Sequence, residues 1–209
     1  MSQPASTSEK SALLSSLNGQ RRHVLGILEG LPEEAVHRPV LPSGWTCVGL
    51  VHHLAVDVER WWFRDVFAGE PIDSDECLGE GWQVAPEVPS GAVLEFYRRQ
   101  VELANAIIAA AAPDDPPSNW PEDRWPNWHL DDLRETMLHV ITETACHAGH
   151  LDAARELIDG RAWLVVTDGT GRASARQPGH DTVSGMRVTA FDVGAAREED
   201  MSWQLPPCS

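Results

Sequence analysis

Residues 133–160 read LRETMLHVITETACHAGHLDAARELIDG, an uninterrupted run without proline. The pattern predicts a helix from about Leu130 to Ile158. Asp131 and Asp132 fall in its first turn, where negative charge suits the helix dipole, and Gly160 is placed to cap its end. Glu143 and His147 are four apart, so they share one face about one turn apart. His150, three residues further on, continues that stripe. A carboxylate and an imidazole at this spacing can chelate one divalent ion. A third ligand from a facing helix would complete a site with one open position, the arrangement of a catalytic rather than a structural metal. A lone Glu/His pair of this kind is more often a surface contact. Val140, Ile141, Thr144 and Leu151 place this one at the border of the core, where an unpaired carboxylate is costly.

Working back along the chain, residues 1–7 read as a disordered N-terminus. From Ser8, Leu13, Leu14, Leu17, Val24, Leu25, Leu28 and Leu31 form one apolar stripe of a first helix that stops at Pro32. A second helix is predicted from Trp45 or Thr46 to about Phe67, ended by Gly69 and Pro71. It is apolar over much of its circumference and holds His52 and His53, which point about 100° apart in an α-helix. His53 shares a face with Leu50, Asp57 and Trp61, but periodicity barely separates it from His52 as the third ligand. Asp57 is placed to accept from the other nitrogen of His53, as histidine ligands need. Residues 69–90 hold acids and no basic residue and read as a solvated linker. A third helix starts at Pro89–Ser90 and fades by Pro113. The stretch 113–128, rich in Pro and Trp, cannot be regular helix.

Four helices make an all-α four-helix bundle the economical architecture for residues 8–160. Residues 161–209 form a C-terminal extension, in which WLVV and MRVTAF read as short β-strands, giving either a hairpin packed on the bundle or a loosely ordered tail. Cys208 reads as exposed.

The chain has 209 residues, with 32 acids against 16 Lys and Arg and a formal charge of −16. That balance argues against nucleic-acid and anionic-membrane partners. No apolar run is long enough to span a bilayer, and MSQPASTSEK lacks the apolar region of a secretory signal. With four cysteines and no CxxC, reduced thiols in a cytoplasm are the expectation. Asp152 and Arg155 read as a pair of their own, and Cys146 points away from His147. Trp61, Trp62 and Phe63 read as core or a dimer surface. Trp120, Trp125 and Trp128 either wall a pocket or clamp the Pro-rich loop, and the site is expected to open near them.

Two stretches carry a family resemblance. In LPEEAVHRPVLPSGWTCVGLVHHLAVDVERWWF (31–63), Ser43-Gly44-x-Thr46, His53-Leu54 and Glu59-x-x-Trp62-Phe63 match one segment. In 133–160, Glu143-x-x-x-His147-x-Gly149-His150-x-Asp152, Arg155-Glu156 and Asp159-Gly160 match another. Together they resemble the DinB/YfiT-like metalloprotein superfamily, closest to its mycothiol-dependent transferase branch, formerly a domain of unknown function. That branch is related to the N-terminal bundle of mycothiol-dependent maleylpyruvate isomerase. The resemblance implies an up-down-down-up four-helix bundle, with the acidic linker as the crossover between helices two and three. It implies a divalent metal, zinc first and Ni2+, Mn2+ or Fe2+ next, held by His53, Glu143 and His147. It also implies mycothiol as thiol co-substrate and a homodimer. His150 stands where most members have Gln, and is the candidate catalytic residue. The larger second domain of the isomerases has no full counterpart here. The function implied is metal-dependent thiol S-transfer to, or isomerisation of, a small electrophile. A metal-dependent hydrolase and a non-catalytic metal-binding stress-response bundle are the alternatives.

Overall fold

In the computed structural model, residues 5–71 and 78–163 are described. Most of the expected C-terminal strands, Cys208 and part of the acidic linker lie outside these residues. The described chain is all-α apart from one small hairpin. Helix α1 spans Ala5–Leu28, beginning three residues before the sequence suggested. Its stripe is buried at Leu17, Val24, Ile27 and Leu28. A short helix α2, Glu33–Val36, follows. Its Glu33 carboxylate accepts from the backbone N–H of Ser90 at 2.6 Å and from its hydroxyl at 2.5 Å, so one helix caps the start of another. That supplies partners for the unpaired donors at the start of α4, Ser90–Ala110, whose own N-cap position is Pro89.

The second long rod departs from expectation. Only α3, Cys47–His53, is α-helical, with the Thr46 hydroxyl accepting from Gly49 N–H at 3.0 Å as its N-cap. From Leu54 to Phe67 the backbone widens into a π-helix. Its end shows the longer spacing directly, with Ala68 N–H donating to Phe63 O at 3.0 Å, and Gly69 at φ +66 then turns the chain. π-Helical backbone is rare and is often found at functional sites.

The linker is not featureless either. Gly79–Glu80 and Gln83–Val84 form an antiparallel hairpin, β1 and β2, around a turn of Gly81 and Trp82, with Gly81 at φ +52. The Pro- and Trp-rich loop is tied to the end of the π-helix by Ser118 N–H to Phe67 O and Asn119 N–H to Val66 O. Helix α5, Leu133–Asp159, is capped by Asp132, whose carboxylate accepts from Glu135 N–H. Asp131 lies just outside the helix, and its N–H donates to Glu135. Gly160, at φ +77, closes the helix as expected.

Helix α1 packs on α5, the π-helix packs on α4 and α5, and α3 lies against α4. One core runs between them, including Leu50, Leu54, Phe63, Tyr97, Ile108, Met137 and Leu151. Arg21 on α1 and Glu59 on the π-helix form a buried ion pair inside it. Among the described residues no helix is long and apolar enough to cross a membrane.

Candidate functional site

His53 is the last residue of α3, at the point where the backbone widens. Its ring is buried, and Nδ1 lies 2.7 Å from Asp57 Oδ2. The carboxylate therefore takes Nδ1–H, fixes the ring and leaves Nε2 as the donor atom for a ligand. The i,i+4 reach from His53 to Asp57 survives the change of helix type.

Helix α5 brings the other residues to the same place. The rings of His53 and His147 meet edge to face, with centroids 5.0 Å apart. His147 Nε2 lies 3.6 Å from Glu143 Oε2. Two ligand atoms on one tetrahedral zinc sit about 3.3 Å apart, so this edge is near the right length. The neighbouring His147 imidazole is the main cause holding the Glu143 carboxyl below the usual carboxylate range, against its partial burial. As placed, the three side chains are neighbours but not a closed donor set. No group of three or more His, Cys, Asp or Glu is arranged to hold a metal among the described residues. The donor chemistry still fits a divalent ion of zinc type: two imidazoles, one carboxylate, and a buried carboxylate behind one imidazole. The Glu143 carboxylate, 39% exposed, is the least confined of the three.

His150 lies exposed at the edge of this group, its Nδ1 3.3 Å from Nδ1 of His147. Partial burial, then the neighbouring His147, push its pKa down. Trp45 flanks it, with ring centroids 6.1 Å apart.

One neighbour was not legible as a site residue. Trp82, from the hairpin turn, stacks on His53 at 4.0 Å with 16° between the planes, and meets His147 edge-on at 5.2 Å. The signal available was one Trp in an otherwise acidic linker. His52 is fully buried and turned away, its Nδ1 2.7 Å from Gly81 O. Burial pushes its pKa down, against that hydrogen bond.

His139, one turn before Glu143, joins the tryptophans instead. It meets Trp62 edge-on at 4.5 Å and Trp128 at 5.4 Å, and burial lowers its pKa. Trp62 in turn stacks on Trp125 at 5.3 Å. The Pro-rich loop is thus clamped by tryptophan, one helical turn from the candidate site. A cavity of about 600 Å³ lies elsewhere, bordered by Arg22, Leu25, Val48, Leu94 and Arg98, and none of the expected site residues lines it. Asp152 and Arg155 do not pair with each other. Asp152 meets His23 at 2.9 Å, while Arg155 binds Asp159 and donates to the carbonyls of Ile27 and Glu29 near the end of α1. Arg155 instead spreads its donors over Asp159 and two carbonyls at the end of α1, where a helix leaves its last carbonyls without partners. Cys146 is exposed.

Compared with known proteins, the chain matches a family model described as mycothiol-S-transferase over residues 12–160. The match takes in His53, Glu143, His147 and His150. No curated protein matches it. No solved structure matches it either.

Proposed function

Because the chain belongs to the mycothiol-S-transferase family, we propose that it transfers the sulfur of mycothiol, or a similar small thiol, to a small electrophile, or adds it reversibly to drive an isomerisation. His53, Glu143 and His147 would hold the divalent metal, most simply zinc. A bound divalent ion of this kind lowers the pKa of a thiol so that thiolate is present near neutral pH. The four long rods are taken as the up-down-down-up bundle of DinB-like proteins.

The observation that carries the reading is the His53–Asp57 pair meeting His147 and Glu143 across two rods. Asp57 holds the His53 ring in one tautomer and presents Nε2. Nε2 of His147 faces Glu143, and its Nδ1 faces His150. A His147 that ligates through Nε2 carries its hydrogen on Nδ1 and donates it to Nδ1 of His150, which leaves His150 Nε2–H as a donor at the edge of the site that would orient a substrate. Trp82 and Trp45 flank the group.

The test is metal content of the purified chain by mass spectrometry beside a His147→Ala variant, then calorimetric titration of the loaded protein with mycothiol. Near-stoichiometric metal lost in the variant, together with thiol binding, is expected. Metal without thiol binding would move the site to hydrolysis or metal binding alone. Failure to load any divalent ion on reconstitution would remove the reading.

A further inference from the structure

We propose that the two adjacent histidines divide the work: His52 ties down the β1–β2 turn, and the tied turn sets Trp82 as the wall of the site over His53. Three contacts carry this. His52 Nδ1 lies 2.7 Å from Gly81 O, so Nδ1 carries the hydrogen and donates it. Its Nε2 is then a bare acceptor, and it is buried with no hydrogen-bond partner among the described residues. A buried imidazole left half-satisfied needs a reason, and the strap to Gly81 supplies one.

The second contact is backbone on backbone. A Cβ at position 49 would lie 2.1 Å from the carbonyl oxygen of Trp82. Only glycine lets the turn lie this close to α3. Gly49 and His52 are three apart, on one face of α3, so both hold the same turn. The third contact is the result: the indole of Trp82 stacked 4.0 Å from the His53 ring and edge-on to His147. Trp82 stays 37% exposed, so it is a wall with a solvent edge and not part of the core. It closes one side of the His53–His147 pair, and a substrate reaches the pair past its edge. Trp82 is therefore a specificity-determining residue, and His52 a positioning residue that acts through it.

Trp82 as the wall of a reaction site rests on the thiol-transfer reading above; the strap does not. The two fail separately: mycothiol that does not bind leaves the strap standing, and a strap that is absent leaves the metal and thiol titrations as they are.

The experiment is histidine-ring NMR of the full chain without added metal, with His53 assigned by loss of its signals in His53→Gln. The stacked indole displaces the His53 ring protons upfield, and Trp82→Ala defines the unstacked position. His52→Phe keeps an aromatic ring and removes the donor; it is expected to move the His53 signals most of the way to the Trp82→Ala position. His52→Gln keeps an amide N–H for Gly81 O and is expected to hold them near the wild-type position. If His52→Phe does not fold, Gly49→Ala displaces the same turn without touching a histidine, and the same movement is expected. Signals unmoved in His52→Phe, or in Gly49→Ala if that variant must stand in, would overturn the strap. So would His52→Gln behaving like His52→Phe, or Trp82→Ala leaving the signals in place.

Discussion

Replacing Arg21 by Leu strands a carboxylate inside the protein. Glu59 is fully buried on the π-helix, and its two oxygens accept from Arg21 Nε at 2.6 Å and Nη2 at 2.5 Å. Arg21 Nη1 also donates to Asn18 and Asn105, so one guanidinium joins α1, the π-helix and α4. Removing one partner of a buried pair costs about 3–5 kcal/mol, because the other charge is left uncompensated. That is a large share of the roughly 5–15 kcal/mol that holds a domain of this size together. Arg21→Leu with Glu59→Leu removes both charges. The residual cost is then two unpaired asparagine acceptors, each worth about 1 kcal/mol. The double variant is therefore expected to be more stable than Arg21→Leu alone, by about 2 kcal/mol. Urea unfolding followed by far-ultraviolet dichroism reads this as a recovery of the midpoint at constant slope. Additive losses, leaving the double variant below either single one, would refute the reasoning.

Four further outcomes follow from the same contacts. Asp57→Asn keeps an acceptor for His53 Nδ1 but loses its charge, and metal affinity by chelator competition should fall about 10–100-fold. Burial pushes the Cys47 thiol up to about 11, so about one molecule in a thousand is thiolate at pH 8; peptide mapping after brief iodoacetamide treatment should show Cys146 labelled and Cys47 spared until urea is added. Burial holds the pKa of His139 below its ordinary 6.5. The unfolded chain then binds more protons, so the stability contributed by neutral His139 is present above pH 6.5 and lost as pH falls below it; His139→Phe should flatten that part of the acid limb in a pH series of unfolding midpoints. Gly160→Ala meets no atom within 4 Å but forces a Cβ into φ +77, and should lower stability by about 1 kcal/mol in the same urea assay.

The end of α5 was legible because its signal is local, Gly160 after an unbroken run, whereas its start lies at Leu133, three residues later than read, with Asp132 capping the helix from outside rather than sitting in its first turn. The stripe of α1 was legible for the same reason. The π-helix was not. Leu54–Phe67 fits a 3.6-residue periodicity well enough that nothing in its pattern marks the point where the helix widens. The hairpin escaped because two residues per strand leave no alternation to detect, and acidic flanks read as solvent. In the site, the Glu143–His147 spacing lies within one helix and could be read from the chain. That Trp82 would stack on His53 depends on the close approach of Gly49, a contact between segments more than thirty residues apart.

The π-helical rod also explains why half of the site is local and half is not. Asp57, Glu59 and Arg60 lie within four residues, and all are buried. Buried charge persists when it is paired. Asp57 finds its partner on its own rod, one turn back at His53, while Glu59 finds Arg21 on another. The orientation of His53 is therefore set within a single stretch of backbone, and that of the rod by a cross-link to α1. His147 and Glu143 meet His53 only through the packing of α5 against the π-helix. A change at Arg21 should then weaken the whole structure while leaving the His53–Asp57 pair intact in the molecules that remain folded. A change in the packing of α5 should do the reverse, separating the two halves of the site before the protein unfolds.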